Sequence, residues 1–405
     1  MSSPAQSTDY DVIIAGGGLV GATLATALAR SGRTVAVIEA IEHQADHQPS
    51  YDDRTLVVNR ASLNILRRLE LLPETLGRMP VRHIRISRAG GFGRLELDAE
   101  NYGVDAFGAV IVARELGNVL LEALADNERI SELVPERLGD YAAAGDCIEA
   151  RLESGKRLTT RLLIGADGNR SRVRELAGLC CEHHDYGQSA MIFNIMPERS
   201  EPATAWERFT PDGPLALLPQ PGGRLGVVWI AATEQVESAL EWPDEALCAR
   251  LRERFGARLG AFSSPGRRAS YPLVRQRTAW PVAERVAVVG NAANAVHPAS
   301  AQGFNLGLRD VGGLVDALAG HDDPGRKALL NDYARQRHSD QEATVRYTDT
   351  LARAFTNPSA TASLASGIGL AAHALNPALS QRLVRAAMGF REPVSSLARD
   401  QGERP

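Results

Sequence analysis

The stretch that most constrains the fold lies near the N-terminus, at residues 10–40, YDVIIAGGGLVGATLATALARSGRTVAVIEA. An apolar run of strand length leads into Gly16, Gly18 and Gly21 in a GxGxxG pattern, then into an amphipathic helix and a second apolar strand ending at Glu39. These glycines permit a tight turn and bring a pyrophosphate close to a helix N-terminus, whose free N–H groups stabilise negative charge. An acid at the Glu39 position accepts hydrogen bonds from a ribose hydroxyl. The pattern predicts a βαβ unit that binds a dinucleotide, either FAD or NAD.

Apolar periodicity divides the rest of the chain into layers. Residues 161–178 repeat the order strand, turn, helix, whereas residues 187–275 alternate in short runs broken by Pro and Gly, which is typical of an antiparallel sheet. From Asn305 onward the helical period dominates. We therefore predict an α/β fold in which a Rossmann-like nucleotide-binding domain is interrupted by a β-sheet substrate domain and followed by a helical C-terminal tail.

The length of 405 residues allows two to three domains. The sequence predicts a discontinuous nucleotide-binding domain, a substrate domain inserted into it, and a C-terminal helical region. The nucleotide-binding domain would comprise residues 9–75, 108–182 and 281–345. The substrate domain would comprise residues 76–107 and 183–280, and the C-terminal region residues 346–405.

Two further strand-to-loop elements distinguish this chain from NAD dehydrogenases, which need only one glycine-rich loop. Residues 165–174, GADGNRSRVR, contain Asp167 followed by glycine, and residues 286–307 read VAVVGNAANAVHPASAQGFNLG, an apolar strand that runs into Gly290 and Asn291. The three loops together resemble the FAD-dependent aromatic hydroxylases that share the p-hydroxybenzoate hydroxylase fold. They are most similar to the ubiquinone-biosynthesis branch, and within it to the enzymes that act on 2-polyprenyl-6-methoxyphenols.

The resemblance implies a set of cofactor-binding residues along one long FAD. They are Gly16, Gly18, Gly21, Glu39, Arg54, Arg114, Asp167, Gly290, Asn291, Gly303 and Asn305. Gly290 and Asn291 would lie against the ribityl chain, and the helix that begins near Gly303 would direct its N–H groups at the reduced flavin. Arg54 would lie near the flavin ring. We expect Arg54 and His297 to have catalytic roles.

Other readings of three of these residues stay open at the level of sequence. Arg114 is equally compatible with a solvated position on a helix surface. Arg54 could do no more than pair with Asp52 or Asp53, without a role at the flavin. His297 could be a buried structural residue. The flavin loop also departs from the family pattern, because Ala301 stands where glycine is common, and a positive φ there would cost on the order of 1 kcal/mol.

The chemistry that the resemblance implies is hydroxylation of a polyprenyl-methoxyphenol ring in ubiquinone biosynthesis through a flavin C4a-hydroperoxide. NAD(P)H would be a transient electron donor, and no metal would be needed. One alternative is a sister hydroxylase of the same pathway that acts at another ring position. The other is a non-catalytic, FAD-stabilised subunit of a quinone-synthesis complex, with other ubiquinone-biosynthesis proteins as partners.

Charge and composition bear on partners and location. A net charge of −4 gives no cationic surface for nucleic acid. The first residues show no secretory signal pattern, so we expect a cytoplasmic protein. Residues 359–375, SATASLASGIGLAAHAL, carry no formal charge and are too short and polar to span a bilayer reliably. They predict either a helix packed on the FAD domain or peripheral contact with the inner membrane or a partner.

Overall fold

The computed structural model describes residues 7–42, 53–90, 94–298, 301–356, 369, 372–373 and 376–400. Its strands are β1 Tyr10–Ala15, β2 Val35–Ile38, β3 Thr55–Asn59, β4 Arg78–Val81, β5 His83–Arg88, β6 Arg94–Asp98, β7 Gly108–Val112, β8 Ile130–Leu133, β9 Leu138–Ala144, β10 Cys147–Leu152, β11 Arg157–Gly165, β12 Cys181–Pro197, β13 Thr204–Thr210, β14 Gly213–Pro219, β15 Leu225–Ala232, β16 Phe262–Ser263, β17 Ala269–Thr278, β18 Val282–Ala283, β19 Val286–Val288 and β20 Asn294–Ala295. Its helices are α1 Leu19–Arg30, α2 Arg60–Arg68, α3 Ala113–Ala125, α4 Arg172–Leu176, α5 Thr233–Leu240, α6 Asp244–Phe255, α7 Gln302–Leu318, α8 Lys327–Thr356 and α9 Pro377–Ala387.

The first sheet has a parallel centre, β19-β11-β1-β2-β8, and antiparallel strands at its margins. Its strands β2 and β19 are apolar throughout, and β1 ends in the buried run VIIA, because both faces of a parallel sheet are covered. α1 is buried along almost its whole length and packs against α3 and α7. This arrangement confirms the βαβ unit predicted from residues 10–40.

The second sheet is nine-stranded and mostly antiparallel, with β5 and β13 as its parallel pair. α5 and α6 cover one face of it with a core built around Trp206, Trp229 and Phe255. A smaller sheet, β3-β7-β4, lies beside it. α8 packs against β13 and β14 as well as α7, so this helix contacts both large layers. The antiparallel sheet and the helical C-terminal part follow the sequence expectation.

The sheets follow most of the domain division predicted above. All strands of the first sheet come from residues 9–75, 108–182 and 281–345. β20, however, pairs with β17 of the second sheet although it lies in the third of these ranges, and β4 joins the small sheet although it lies in 76–107. The division itself therefore remains a prediction.

Candidate active site

The loops singled out in the sequence meet at one edge of the first sheet. Ala15 of β1 is level with Ile38 of β2 and with Gly165 of β11, which in turn is level with Val288 of β19. The chain therefore leaves four neighbouring strands at one height, at their carboxyl ends. This edge is where open α/β sheets bind their ligands.

Two of the N-terminal glycines are required by sterics. Gly16 has φ +103°, and a Cβ there would lie 2.5 Å from the carbonyl oxygen of Ala166. A Cβ on Gly21 would overlap the carbonyl oxygen of Gly16, so α1 can approach the turn only without one. Gly18 is the N-cap of α1 and makes no side-chain capping bond, and the first turn of α1 carries no acid. The N–H groups of this turn are thus available to an anion.

Glu39 is held in place by the loop that it faces. Its Oε2 accepts a hydrogen bond from the Gly17 N–H at 2.7 Å, and its Oε1 accepts one from the Ile41 N–H at 2.9 Å. Glu39 is 8% exposed and lines the cavity described below. Each oxygen keeps a lone pair, so a ribose hydroxyl could still donate to it.

The second motif organises its own loop. Asp167 Oδ2 accepts hydrogen bonds from the N–H groups of Arg172 and Val173 at the start of α4, at 2.7 and 3.2 Å. The Arg174 guanidinium donates to the carbonyl oxygens of Ala292 and Asn169, each at 2.8 Å. Arg174 thereby ties this loop to the loop that follows β19.

The third motif presents Asn291 to the cavity. Gly290 has φ +59°, and its N–H donates to the buried Asp310 Oδ2 at 3.3 Å. Asn291 lies in the short 3-10 turn Gly290–Ala292, and its exposed side chain lines the cavity wall. An amide there can both donate to and accept from the hydroxyls of a ligand.

Asn305 connects the flavin loop to the small sheet. Its Oδ1 accepts from the Asn59 N–H at 2.9 Å, and its Nδ2 donates to the carbonyl oxygens of Val57 and Ala301, each at 2.7 Å. Because both amide hydrogens are already donated within the protein, the side chain positions the start of α7. A contact of Asn305 with a cofactor would therefore use its backbone or the remaining acceptor site.

The start of α7 is strained at Ala301 and open at Gly303. Ala301 adopts φ +52°, so the positive φ considered from the sequence is present, and this residue makes no side-chain cap for α7. A Cβ on Gly303 would meet nothing closer than 3.9 Å, whereas one on Gly307 would lie 2.7 Å from Val20 Cγ2. Gly307 serves packing against α1, but the protein itself leaves room beside Gly303.

A buried charge cluster stands behind this loop and was not found from the sequence. Arg309 Nε lies 2.7 Å from Asp340 Oδ2, and Arg337 Nε lies 3.0 Å from Asp310 Oδ1. Burial alone would raise the pKa of Asp340, yet the guanidinium groups of Arg309 and Arg337 lower it to about 2. Each charge has a partner, as buried charges require. The sequence signal for this cluster was the neighbouring pair Arg309 and Asp310, which lies in the stretch predicted only to be helical.

The two arginines proposed as cofactor contacts lie in different places. Arg54 lines the cavity, with its guanidinium carbon 4.9 Å from the centre of the Tyr271 ring. Arg114, in the first turn of α3, pairs with Asp53 at 3.1 Å and is not among the cavity-lining residues. Of the alternatives for Arg54, Asp52 falls outside the described residues. The cofactor roles of both arginines remain predictions.

His297 lies behind the cavity wall, between two residues that line it, Val296 and Pro298. It is 1% exposed, and its ring meets that of Tyr186 edge-on at 4.9 Å. Burial lowers the pKa of His297 to about 4, although Asp349 opposes the shift. The imidazole is therefore neutral at neutral pH. A catalytic role for His297 remains a prediction, and it would have to act through its neighbours.

One cavity of about 1490 Å³ joins all these loops to the second sheet. Pockets for a single small ligand are roughly 300–1,000 Å³, so this one has room for more than one molecule. Its far end is an apolar chamber, formed by strands of the second sheet, α8 and α9. Three tyrosine or carboxylate residues that line the chamber were missed from the sequence, Glu207, Tyr271 and Tyr347. Glu207 had a signal, because alternation in TAWERFT places it on one face with Ala205 and Phe209.

The residues around the carboxyl edge of the first sheet fit FAD. Two helix N-termini without side-chain caps, those of α1 and α7, border the same cavity, and each offers N–H groups to negative charge. Glu39 lies beside the first, and Asn291 lies along the wall shared with α7. The space left at Gly303 is what a planar ring beside the α7 N-terminus needs.

The match to known proteins agrees with this geometry. The FAD binding domain family matches residues 9–348. The chain is 37% identical over 385 residues to the ubiquinone hydroxylase UbiL of Rhodospirillum rubrum, covering 94% of this chain and 89% of that protein. The chain belongs to the FAD-dependent hydroxylases of ubiquinone biosynthesis. This hydroxylase is also 29% identical over 397 residues to the 3-demethoxyubiquinol 3-hydroxylase of Escherichia coli, covering 94% and 98% of the two chains.

Solved structures confirm the fold of the hydroxylase. The p-nitrophenol 4-monooxygenase PnpA of Pseudomonas putida superposes with a TM-score of 0.77 over 96% of this chain and all of that one, at 17% identity. The predicted fold class is thus confirmed, and the protein is an FAD-dependent monooxygenase. FAD is its cofactor.

The C-terminal region is described in part. Most of residues 359–375, predicted to pack on the FAD domain or to contact a membrane or partner, lies outside the described residues. Among the helices that are described, none combines the length and apolar character needed to cross a bilayer. Residues 376–400 pack on the first layer, where Arg60 Nε pairs with Asp400 at 3.0 Å and Asn64 Nδ2 donates to the Ala398 carbonyl oxygen at 2.9 Å.

Proposed function

We propose that this monooxygenase hydroxylates the ring of a polyprenyl-methoxyphenol in ubiquinone biosynthesis. The observation that carries the proposal is the continuity of the cavity, from the glycine loop of β1 to an apolar chamber against the second sheet. A phenol ring at the junction would meet the flavin, and its prenyl chain would lie in the chamber. Burial of a prenyl chain contributes about 0.8 kcal/mol to the binding free energy for each CH₂ group that leaves water.

The residues of the chain have separate tasks in this function. The α1 N-terminus would bind the pyrophosphate, Glu39 the ribose, and Asn291 the ribityl chain. The N–H groups at the start of α7 would stabilise negative charge on the flavin ring. When bound, FAD supplies the redox chemistry that activates oxygen. The apolar strands orient the substrate and exclude water from the reacting ring.

We further propose NAD(P)H as a transient electron donor. The described residues hold one GxGxxG loop, and its acid and helix N-terminus are already assigned to FAD. The donor would therefore visit without a domain of its own. Stopped-flow reduction of the purified holoenzyme with NADH and NADPH under anaerobic conditions tests this. Bleaching of the flavin by either nucleotide, faster in the presence of a prenylphenol, is the expected result.

A sister reaction at another ring position is the second candidate, favoured by the full-length similarity to a 3-demethoxyubiquinol 3-hydroxylase. Deletion of the protein in its host followed by mass spectrometry of the quinone intermediates decides between the two. Accumulation of a polyprenyl-methoxyphenol supports the first. Accumulation of a later methoxy-methyl quinol supports the sister reaction. An unchanged quinone profile would contradict both.

We also propose that the hydroxylase draws its substrate from the inner membrane, with α9 at the entrance. Leu383, Val384 and Met388 of the α9 region line the apolar chamber, while Leu379 on the same helix is 40% exposed. A polyprenyl phenol resides in the bilayer, and an amphipathic helix that borders its binding chamber could contact the membrane surface there. Association with other ubiquinone-biosynthesis proteins at this surface is the alternative.

A further inference from the structure

The chamber wall formed by the second sheet is apolar with two exceptions. Successive residues of a strand point to opposite faces, so one face of each strand meets the chamber. Glu207 and Tyr271 are its polar members. The remaining lining residues on these strands are apolar, and they include Ile86, Ala205, Ala216 and Val228. A carboxylate in such a wall is costly and requires an explanation.

Glu207 differs from the other carboxylates of the cavity that the site uses. Glu39 and Asp167 each accept N–H groups of the protein. Glu207, in the middle of β13, lies level with Ala216 on one side and Ile86 on the other. Within the part of the chain that the structure describes, its carboxyl group makes no hydrogen bond and no ion pair. It is partly buried and lines the chamber, on the strand face that it shares with the lining residues Ala205 and Phe209.

Tyr347 of α8 lies opposite in the same chamber. It is partly buried and lines the cavity, and α8 packs directly against β13. Burial raises the pKa of Tyr347, and the negative charge of Glu207 adds to the rise. The two groups are therefore close enough to interact. The positive charge of Arg391 acts on the pKa of Tyr347 in the opposite direction.

We propose that Glu207 is the catalytic residue that accepts the hydrogen bond of the substrate's ring hydroxyl and takes its proton, with Tyr347 as a positioning residue. This inference rests on the proposed function. The O–H bond of the phenol breaks and an O–H bond forms on the carboxylate, leaving a phenolate and a neutral Glu207. Phenolate formation makes the ring electron-rich, as attack on oxygen requires. The proton returns to the hydroxylated product.

The environment of Glu207 suits this exchange. Burial raises the pKa of Glu207 to about 7, which brings it toward that of a phenol and near the working pH. Around Glu207, β14 and β5 present Ala216 and Ile86, and α8 presents Tyr347. Tyr347 is the titratable group on α8 that interacts electrostatically with Glu207, and Arg391 acts on Tyr347. Neither Ala216 nor Ile86 titrates.

The test compares two probes on the oxidised, FAD-loaded protein. The first is 2-geranyl-6-methoxyphenol, and the second is its methyl ether, which has no hydroxyl to donate. Isothermal titration calorimetry gives the ratio of the two dissociation constants. A hydrogen bond to a charged group predicts that the wild-type protein binds the phenol roughly tenfold or more tightly than the ether. This preference should decline as the pH falls below about 7, where Glu207 becomes neutral.

Variants separate the catalytic role from a structural one. In Glu207→Ala the preference for the phenol should vanish while the ether binds as before. Glu207→Gln can still accept a hydrogen bond but no proton, so it should keep part of the preference, raise KM only severalfold and lose kcat by on the order of 10²-fold. Tyr347→Phe should weaken the preference without abolishing it. Glu96→Gln is the matched control, because Glu96 lies on the other face of the same sheet, next to Arg85.

Each outcome is decisive. The inference is overturned if Glu207→Ala keeps the wild-type preference, or if it weakens both probes equally, which is the mark of a structural role. If the wild-type protein hydroxylates the phenol but binds phenol and ether alike, the assignment of Glu207 fails and the proposed function stands. If the wild-type protein neither binds nor hydroxylates the phenol, both are contradicted.

Discussion

At the scale of single residues, glycines and one amide define the flavin site. Gly303 and Gly307 are four residues apart on α7 and therefore on the same face of the helix. Their steric surroundings differ, since a Cβ on Gly303 meets open space and one on Gly307 meets Val20. The sequence gives no way to distinguish the two glycines, because steric contact with α1 depends on the folded arrangement.

Gly303→Ala should weaken FAD binding and leave the apoprotein at least as stable as before. The added methyl group meets no protein atom within 3.9 Å, and alanine is favoured over glycine in a helix by up to about 1 kcal/mol. Gly307→Ala should instead destabilise the apoprotein by about 1–3 kcal/mol through overpacking. Fluorescence titration with FAD and denaturant unfolding measure the two effects. Equal loss of stability in both variants would contradict the assignment of Gly303 to the cofactor.

Asn291→Asp should lower the midpoint potential of the flavin while FAD stays bound. A carboxylate about 8 Å from the reduced ring would oppose its charge by roughly 2 kcal/mol at an effective ε of about 20. For a two-electron couple this corresponds to on the order of 40 mV. Redox titration of the bound flavin checks the shift, with Asn291→Ser as the neutral control. An unchanged potential in Asn291→Asp would mean that the amide has no electrostatic role.

Glu207→Gln should stabilise the protein at high pH. Burial raises the pKa of Glu207 from 4.5 to about 7, so the folded state holds the proton more tightly than the unfolded state. Stability is therefore lost as the pH rises between these values. Removing the charge should raise the free energy of unfolding of the apoprotein by on the order of 2 kcal/mol at pH 8, allowing for water in the chamber, and by almost nothing near pH 4. Urea unfolding at both pH values measures this. A gain that is the same at both pH values would contradict the assigned pKa.

At the scale of elements, loops from three strands are held together by contacts that span long stretches of chain. Arg174 ties the loop after β11 to the loop after β19, and Asp310 of α7 accepts the Gly290 N–H. The C-terminal residues 376–400 are likewise attached to α2 by Asp400 and Ala398. Removal of the whole C-terminal region is consequently a poor test of membrane contact, because it would also expose α2.

Leu379→Glu is a sharper test of the α9 surface. Leu379 is 40% exposed, so a charge there should leave the fold and FAD content intact and reduce co-sedimentation with vesicles of phosphatidylethanolamine and phosphatidylglycerol. Gln381→Glu adds the same charge at an exposed position roughly opposite on α9 and should have little effect. Unchanged vesicle binding of Leu379→Glu would argue against contact through α9.

At the scale of the whole molecule, the cavity lies where the two large sheets, α8 and α9 meet. A cofactor in this space would touch loops from strands and helices spread across the sequence, so its binding should stabilise the fold as a unit. FAD at about 100 times its dissociation constant should add about 2.7 kcal/mol to the free energy of unfolding. Calorimetry with and without added FAD tests this. A second transition that does not move with FAD would indicate that one layer unfolds independently.

The sequence by itself determined the βαβ unit and the three loop motifs, because glycine spacing and apolar period act locally, and the resemblance that these motifs carry indicated the family. The roles of Arg114, Asn305 and His297 were expected from motifs, and only the tertiary structure showed that Asn305 lines the cavity whereas Arg114 and His297 do not. It also paired Arg337 with Asp310 and set Glu207 in an apolar wall facing Tyr347. Burial and ion pairing depend on which distant segments pack together, and a local sequence pattern does not specify that packing.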